Sequence, residues 1–317
     1  MKLISILFFL FTIGSGYAVA QKDKSDKNKN DEVPTELRVN LSAVDSSQNL
    51  VNDLTAADIK IFDNDVDQKV TYFAKTPSTN VAFVVDNTGS MRSQLNVEIA
   101  LAKSIAANLR ASDEGMVVRF VSRDKVTLQQ SWTTSRDRLN NAFDNLFIEG
   151  GQSAIVDGMY LAASSMLERA KTEKDKRFAI VLITDGEDRD SYYLPKHLLS
   201  MMEGSGIQIF VLGLDRDLPQ ISGISTPGPR EKAEKFLREM TERTGGTLYL
   251  FNKKYDLPEL QAGVEALVSE LRSQYVIGYS SPNKKARPKN FRVEIADGPK
   301  GQKRIATVSR AFSPSKN

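Results

Sequence analysis

Three oxygen-bearing side chains stand on alternate residues in the segment Asp86-Asn-Thr88-Gly-Ser90. A hard divalent cation such as Mg²⁺ binds carboxylate and hydroxyl oxygens, and we expect Gly89 to let the backbone turn sharply between them. The same residues are also typical of a turn or a helix N-cap, because their side chains can hydrogen-bond to nearby backbone N–H groups. The segment taken alone leaves both interpretations open.

A buried strand and a helix are expected to position this segment. Val81 to Val85 form a run of five apolar residues, which is typical of a parallel strand buried on both faces. After Met91 the apolar residues recur at helical spacing, at Leu95, Ile99, Ala102, Ile105, Ala106 and Leu109. The order of strand, polar loop and helix places the three side chains at the carboxyl end of a central strand, where open α/β sheets build their sites.

Two more polar loops are expected at the same edge of the sheet. The turn Gly150-Gly151 leads through Ser153 into a helix, and a second buried strand, 178–184, ends at Asp185-Gly186. Strands alternating with helices predict a doubly wound, mainly parallel α/β sheet, in which right-handed crossovers bring these loops together. The other predicted strands are 115–122, 125–133 (at the sheet edge), 207–214 and 247–251, and the other helices are 136–147, 192–202, 230–244 and 257–275.

The segments on either side of the α/β region show strand patterning. Neither has enough strands to be stable alone, so we expect them to pack together in one small β-sandwich-like unit with the α/β domain inserted. The segment Asp63-Asn-Asp65-Val-Asp67 has the acidic spacing of a calcium-binding loop but lacks the later glycine and glutamate, which favours a hairpin turn. The predicted organisation is a signal peptide (1–20), a disordered spacer (21–32), an N-terminal β-rich flank (33–75), the α/β domain (79–275) and a C-terminal β-rich flank (276–317).

The composition narrows the classes of function. The 317 residues include 43 Lys and Arg against 40 Asp and Glu, a net charge of +3, which gives no support to nucleic-acid binding. The chain has no Cys, which excludes disulfides, thiolate metal sites and cysteine nucleophiles. Its one histidine, His197, lies in a helical stretch among leucines, and we interpret it as a packed or surface residue.

The start of the chain has the pattern of a secretory signal peptide. Lys2 supplies the positive charge, residues 3–13 are apolar, and Ala18-Val-Ala20 is a small-x-small cleavage site before Gln21. The apolar run is short for a bilayer span, and no later stretch is long and apolar enough for one. We therefore expect an exported protein, periplasmic or extracellular, with no transmembrane span in the mature chain.

The three loops together resemble the von Willebrand factor type A domain and its metal-ion-dependent adhesion site. That site has Asp-x-Ser/Thr-x-Ser in the first loop, a Thr in the second and an Asp in the third. The resemblance implies that Asp86, Thr88 and Ser90 are the ligands from the first loop. It further implies that Ser153 stands in the place of the threonine, with its hydroxyl but without its methyl group, and that Asp185 is the ligand from the third loop.

The resemblance also implies a function. Two carboxylates and up to three hydroxyls around Mg²⁺, or around Mn²⁺ or Ca²⁺, leave a coordination position that an Asp or Glu carboxylate of another protein can fill. We therefore expect a cation-dependent protein-binding module with an adhesion or scaffold role, and not an enzyme.

The sequence after the signal peptide is also similar to a family of exported VWFA-related proteins typified in Acidobacteria. The stretches that carry this second resemblance are Leu54–Phe62, Leu182–Asp188, Thr244–Gly246 and Leu271–Tyr279.

Two alternatives remain open at this point. One is a structural envelope protein whose metal site is vestigial. The other is a phosphotransfer enzyme, because Asp86-Asn-Thr-Gly resembles the phosphorylated Asp-x-Thr-Gly of phosphotransfer ATPases, where the carboxylate is a nucleophile. Those enzymes need a lysine and a later paired-aspartate loop, for which Thr184-Asp-Gly-Glu-Asp188 is an imperfect substitute.

Overall fold

The structure of the protein is a computed structural model that describes most of the chain after residue 35. The described residues are 36–47, 49–75, 78–173, 176–214, 227–251, 256–273, 275–281 and 290–315. The predicted signal peptide (1–20) and spacer (21–32) lie outside them. Within these ranges, none of the helices has the length and apolar character needed to cross a membrane.

The described chain alternates strands and helices between two strand-rich ends. The strands are β1 (Glu36–Asp45), β2 (Ile59–Asp63), β3 (Val66–Gln68), β4 (Val70–Lys75), β5 (Thr79–Asp86), β6 (Glu114–Phe120), β7 (Val126–Thr133), β8 (Arg177–Thr184), β9 (Gln208–Gly213), β10 (Leu248–Leu250), β11 (Tyr275–Ser280), β12 (Phe291–Ile295) and β13 (Arg304–Ser315). The α-helices are α1 (Leu95–Ala107), α2 (Arg136–Asp144), α3 (Ile155–Ala170), α4 (Pro195–Met202), α5 (Pro229–Thr244) and α6 (Leu257–Ser273).

The central sheet has six strands in the order β10-β9-β8-β5-β6-β7. All neighbouring strands are parallel except β7, which runs antiparallel to β6 at the edge. Strands β5 and β8 are adjacent in the middle, and every residue of both is buried. The prediction of a mainly parallel, doubly wound sheet with 125–133 at its edge is therefore confirmed.

Alternation along β5 divides its side chains between two hydrophobic clusters. Val81, Phe83 and Val85 pack in a cluster with α1, α2 and α6, whereas Ala82 and Val84 pack with α3, α4 and α5. Successive side chains of a strand point to opposite faces, so an unbroken apolar strand requires helices on both faces of its sheet.

The two flanks form joint sheets, as predicted. One antiparallel sheet has the order β13-β1-β11-β4 and another has the order β12-β2-β3, so that each contains strands from both ends of the chain. Leu41 and Ile61 from the first flank share a hydrophobic cluster with Tyr275, Ile277 and Tyr279 from the second. The flanks therefore complete one another's core.

The helix predicted over 257–275 ends earlier, at Ser273, and Tyr275 begins β11. The Tyr275 side chain is fully buried, and its hydroxyl donates to the carbonyl of Val51 at 2.9 Å. It also accepts the backbone N–H of Leu54 at 3.3 Å. These long-range contacts place Tyr275 in the flank sheet instead of the helix.

The helix predicted over 192–202 begins later, at Pro195. Proline suits the first helical position, where its missing N–H is not needed. His197 is an exposed residue of this helix, and its Nδ1 accepts the backbone N–H of Leu194 at 3.3 Å.

The acidic segment after β2 forms a hairpin turn, as the sequence favours. Asn64 and Asp65 have φ of 51° and 64°, which is typical of a tight two-residue turn between antiparallel strands. The Asp63 carboxylate is buried and accepts the hydroxyls of Tyr279 and Ser281, each at 3.0 Å. Asp63 therefore joins the two flanks, while Asp67 is exposed.

Replacing Asp63 with alanine is expected to lower the free energy of unfolding by about 1–3 kcal/mol, because two buried hydroxyls lose their acceptor. Asp67→Ala is the matched control and should stay within about 0.5 kcal/mol of wild type. Urea denaturation measures both variants. Equal losses in the two variants would show that Asp63 does not join the flanks.

Candidate metal centre

Asp86 is the last residue of β5, and its side chain is fully buried. Its Oδ1 accepts the backbone N–H of Thr88 at 3.1 Å and the Thr88 hydroxyl at 2.6 Å. The hydroxyl oxygens of Thr88 and Ser90 lie 2.9 Å apart. The structure thus brings the three alternate oxygen donors of the first loop into one hydrogen-bonded group.

The third loop joins this group from the end of the neighbouring strand β8. Thr184 Oγ1 donates to Asp86 Oδ2 at 2.6 Å. The Ser90 side chain hydrogen-bonds to the Asp185 carboxylate, which is 2% exposed. Four of the five residues implied by the sequence, Asp86, Thr88, Ser90 and Asp185, are therefore linked in one network.

Ser153 lies in the second loop, directly before α3, with a φ of 63° that residues with a side chain rarely adopt. Its N–H donates to the carbonyl of Val121 at 2.8 Å, and its carbonyl accepts the N–H groups of Arg189 at 3.1 Å and Asp190 at 2.9 Å. These bonds hold it against the third loop. Its hydroxyl oxygen is buried and has no hydrogen-bond partner in the described part of the chain.

Burial and like charge raise the pKa of the carboxyl groups in this network. Loss of hydration, followed by the nearby charge of Asp185, raises the pKa of Asp86 to about 7. Burial also raises the pKa of Asp185, although the hydrogen bond from Ser90 partly offsets this. Two carboxylates in such surroundings bind protons strongly unless another positive charge is supplied.

A third carboxylate lies beneath the first loop. Glu98 in α1 is fully buried, and its Oε1 accepts the backbone N–H of Asp86 at 2.9 Å. Burial, and next the charge of Asp86, raises the pKa of Glu98 well above its ordinary value. Its other oxygen has no hydrogen-bond partner among the residues that the structure describes.

The residues present fit a hard divalent cation. The donor set proposed from the sequence is two carboxylates and three hydroxyls; among the described residues no three His, Asp or Glu side chains are arranged to hold a metal ion. A divalent cation accepts such oxygen ligands and would replace the protons that the buried carboxylates otherwise retain. It would also give the buried hydroxyl of Ser153 a partner.

Comparison with known proteins identifies the fold family. The family model of the von Willebrand factor type A (VWA) domain matches residues 80–263, which is more than half of the chain. The chain belongs to the VWA domain family. No curated protein matches it.

Several solved structures are similar to this VWA domain protein. An aerotolerance-related membrane protein from Bacteroides fragilis is 22% identical, with 61% of this chain and 98% of that one covered and a TM-score of 0.46. A von Willebrand factor type A protein from Catenulispora acidiphila is 14% identical, with 81% of this chain and 72% of that one covered and a TM-score of 0.47. Proximal thread matrix protein 1 from the mussel byssus, solved with zinc in its metal-ion-dependent adhesion site (MIDAS) motif, is 19% identical. The match covers 67% of this chain and 50% of that one, with a TM-score of 0.47.

Gly89 does not have the role expected from the sequence. It lacks the positive φ of a glycine-dependent turn, a Cβ there would meet no atom within 4 Å, and it begins a short 3-10 turn. The close approach lies in the second loop, where a Cβ on Gly151 would be 2.5 Å from Val121 Cγ1 and 2.8 Å from the Val121 carbonyl oxygen. In the third loop, Gly186 has a φ of 87°.

The third loop caps the helix that follows the second loop. Asp188 Oδ1 accepts the N–H of Ile155 at 2.8 Å, and the Ser191 hydroxyl oxygen accepts the N–H of Val156 at 3.0 Å. Ser191 in turn donates to Asp188 at 2.6 Å. Ala154, the N-cap residue of α3, supplies no side-chain acceptor of its own. These bonds fix where α3 begins and therefore hold Ser153 in place.

The sequence did not point to Glu98 as part of the site, or to the contact that Thr184 makes with Asp86. A signal for Glu98 exists, because it falls on the helix face of Leu101, Ala102 and Ile105, where a charged residue is out of place. No sequence signal marks Thr184, because a polar residue at the end of an apolar strand is common and does not indicate a functional site.

The pH dependence of stability follows from the raised pKa of Asp86. Without divalent cations the folded protein holds this proton up to a pH of about 7, whereas an unfolded aspartate releases it near pH 4. Stability is therefore highest below that range and falls as the pH rises toward 7. Glu98, whose pKa is also raised, acts in the same direction.

Urea denaturation in EDTA across this pH range is expected to show that the free energy of unfolding decreases as the pH rises. The decrease should be up to about 1.4 kcal/mol per pH unit for each proton released. Asp86→Asn should flatten the dependence and stabilise the protein at pH 8 in EDTA. An unchanged slope in this variant would show that Asp86 does not hold the proton.

The requirement for glycine in the second loop can be tested with two neighbouring residues. Gly151→Ala is expected to lower the free energy of unfolding by about 1–3 kcal/mol, because the new Cβ overlaps Val121. Gly150→Ala should be nearly neutral, since a Cβ there meets no atom within 4 Å. Thermal denaturation of both variants measures the difference, and equal melting temperatures would contradict it.

Proposed function

We propose that Asp86, Thr88, Ser90, Ser153 and Asp185 hold one divalent cation, Mg²⁺ or else Mn²⁺ or Ca²⁺. The observation that carries this proposal is the buried hydroxyl of Ser153, which has no hydrogen-bond partner among the described residues. The backbone carbonyl of the same residue bonds to Arg189 and Asp190 in the loop of Asp185. The raised pKa values of Asp86 and Asp185 support it, because they mark a carboxylate pair that lacks compensating positive charge.

The cation would act as a docking contact for a protein partner. When bound, it supplies a positive centre to which an Asp or Glu carboxylate of the partner can coordinate. Asp86 and Asp185 supply the negative charge that retains the cation, while the hydroxyls of Thr88, Ser90 and Ser153 are neutral donors. Because the two carboxylates and three hydroxyls do not fill the six oxygen positions that Mg²⁺ takes, a carboxylate from outside can occupy the remaining one. The protein is then a cation-dependent adhesion or scaffold module and not an enzyme.

The setting of this module is part of the proposal. We infer that the chain is exported by the signal peptide at residues 1–20 and acts in the periplasm or outside the cell. We also infer membership of the VWFA-related proteins typified in Acidobacteria, from the four sequence stretches that resemble them. Of the proposed domain limits, 33–75, 79–275 and 276–317, the last boundary moves by one residue, because Tyr275 begins β11 of the flank sheet.

Calorimetric titration with Mg²⁺ tests the cation site. Wild type should bind one cation, Asp86→Ala should bind none, and Ser153→Ala should bind at least about tenfold more weakly, because a donor or a residue that orients one is lost. Asp124→Ala is the matched control, since Asp124 is an exposed acid in the loop after β6 whose carboxylate accepts the Ser122 hydroxyl at 2.7 Å. Unchanged Mg²⁺ binding by Asp86→Ala would contradict the site.

The docking role is tested by capture from the native envelope fraction, with and without EDTA. A partner retained in Mg²⁺, released by EDTA and not retained by Asp86→Ala supports the proposal. Mg²⁺ binding with no Asp86-dependent capture indicates a vestigial site. Formation of an acyl phosphate on incubation with ATP would instead identify the phosphotransfer alternative.

A further inference from the structure

Three tyrosines form an ordered aromatic surface beside the candidate metal centre. The ring of Tyr193 stacks on that of Tyr160, with centroids 3.7 Å apart and planes 4° from parallel. The ring of Tyr192 packs edge-on against Tyr193, with centroids 5.1 Å apart. Tyr192 is 72% exposed. We call Tyr160, Tyr192 and Tyr193 the tyrosine platform.

One carboxylate holds the backbone of Tyr192 and Tyr193. Asp157 in α3 is 8% exposed, and its Oδ2 accepts the N–H of Tyr192 at 2.8 Å. Its Oδ1 accepts the N–H of Tyr193 at 2.9 Å. An exposed aromatic residue on a fixed backbone loses little conformational freedom when a partner covers it, which is a property of energetically dominant interface residues.

The third loop joins the platform to the candidate metal centre. The N–H of Asp190 donates to the carbonyl of Ser153. Tyr192 lies two residues after Asp190. The residue between them, Ser191, accepts the N–H of Val156 at the start of α3. The loop that supplies Asp185 therefore reaches Tyr192 seven residues later, so a partner segment that lies along this loop can contact both.

The charged groups between them favour an acidic partner. Arg189 pairs with Glu187, but the arginine side chain is 60% exposed and the carboxylate only 16%. Arg123 pairs with Asp190 in the same way, at 56% and 22%. In both pairs the guanidinium is more exposed than the acid, so the outermost charges of these pairs, Arg189 in the third loop and Arg123 in the β6–β7 loop, are positive.

From these observations we infer that the partner is a protein segment in which an Asp or Glu residue lies a few residues from an aromatic or large aliphatic side chain. The acidic residue coordinates the cation, and the apolar side chain packs on the exposed ring of Tyr192. This inference rests on the function proposed above and adds a second contact that selects among acidic segments.

Random peptides displayed on phage are the probe, selected on the full protein in Mg²⁺ and eluted with EDTA. Wild type should enrich peptides that combine an acidic residue with an aromatic or aliphatic residue at a constant spacing. For a synthetic copy of an enriched peptide, Tyr192→Ser should weaken binding about tenfold. Tyr192→Phe should bind as wild type does, because the ring is the contact. Leu128→Ser is the matched control, a 48% exposed apolar residue on β7.

The outcomes separate the inference from the proposed function. If Asp86→Ala abolishes binding while Tyr192→Ser leaves it unchanged, or if no peptide is enriched, the platform is not a docking contact. If peptides lack acidic residues and resist EDTA, the cation-dependent function itself is wrong. Weaker peptide binding by Tyr192→Ser with unchanged Mg²⁺ affinity in calorimetry supports the inference, because a merely structural defect would change both.

Discussion

The burial of two like-charged carboxylates, Asp86 and Asp185, at the ends of adjacent strands is the constraint on which the site depends. Removing carboxylates from water disfavours their charged forms, and their proximity adds repulsion. The hydroxyls of Thr88 and Thr184 offset part of this cost by donating to Asp86 at 2.6 Å each. Parallel pairing of β5 with β8 makes the proximity unavoidable, because Val85 and Ile183 are register partners one residue before each polar end.

The three loops hold one another in place. Two hydrogen bonds join the second loop to the first. The N–H of Glu149 donates to the carbonyl of Asn87 at 2.9 Å, and Asn87 Nδ2 donates to the carbonyl of Phe147 at 2.9 Å. The third loop bonds to the second through Ser153 and caps α3 with Asp188. Oxygen donors held in this way are ordered before a ligand binds. Binding a ligand therefore carries a smaller free-energy cost of ordering the loops.

The α/β sheet and the flank sheets meet where α6 ends. Arg177, a buried residue at the start of β8, donates to the carbonyl of Leu271 at 2.7 Å and to the side chain of Gln208 at 2.7 Å. Burial lowers the pKa of Arg177 to about 10, so it stays charged at neutral pH and can satisfy the last carbonyls of the helix. The chain then enters β11 at Tyr275, beside the last residue of β4, Lys75. The entry to and exit from the α/β domain are thus adjacent in one sheet.

Local patterns in the sequence determined much of this protein. The apolar runs of β5 and β8, the helical spacing after Met91 and the polar residues that end each strand predicted the parallel sheet and the edge at which Asp86 and Asp185 meet. These features follow from side-chain periodicity and turn chemistry, which act between residues close in the chain. The tertiary structure alone decided the raised pKa of Asp86, the burial of Glu98 beneath it, the left-handed conformation of Ser153 and the capping of α3 by Asp188. Each of these depends on contacts between segments distant in sequence, and burial and charge at such contacts are set only when the loops have packed together.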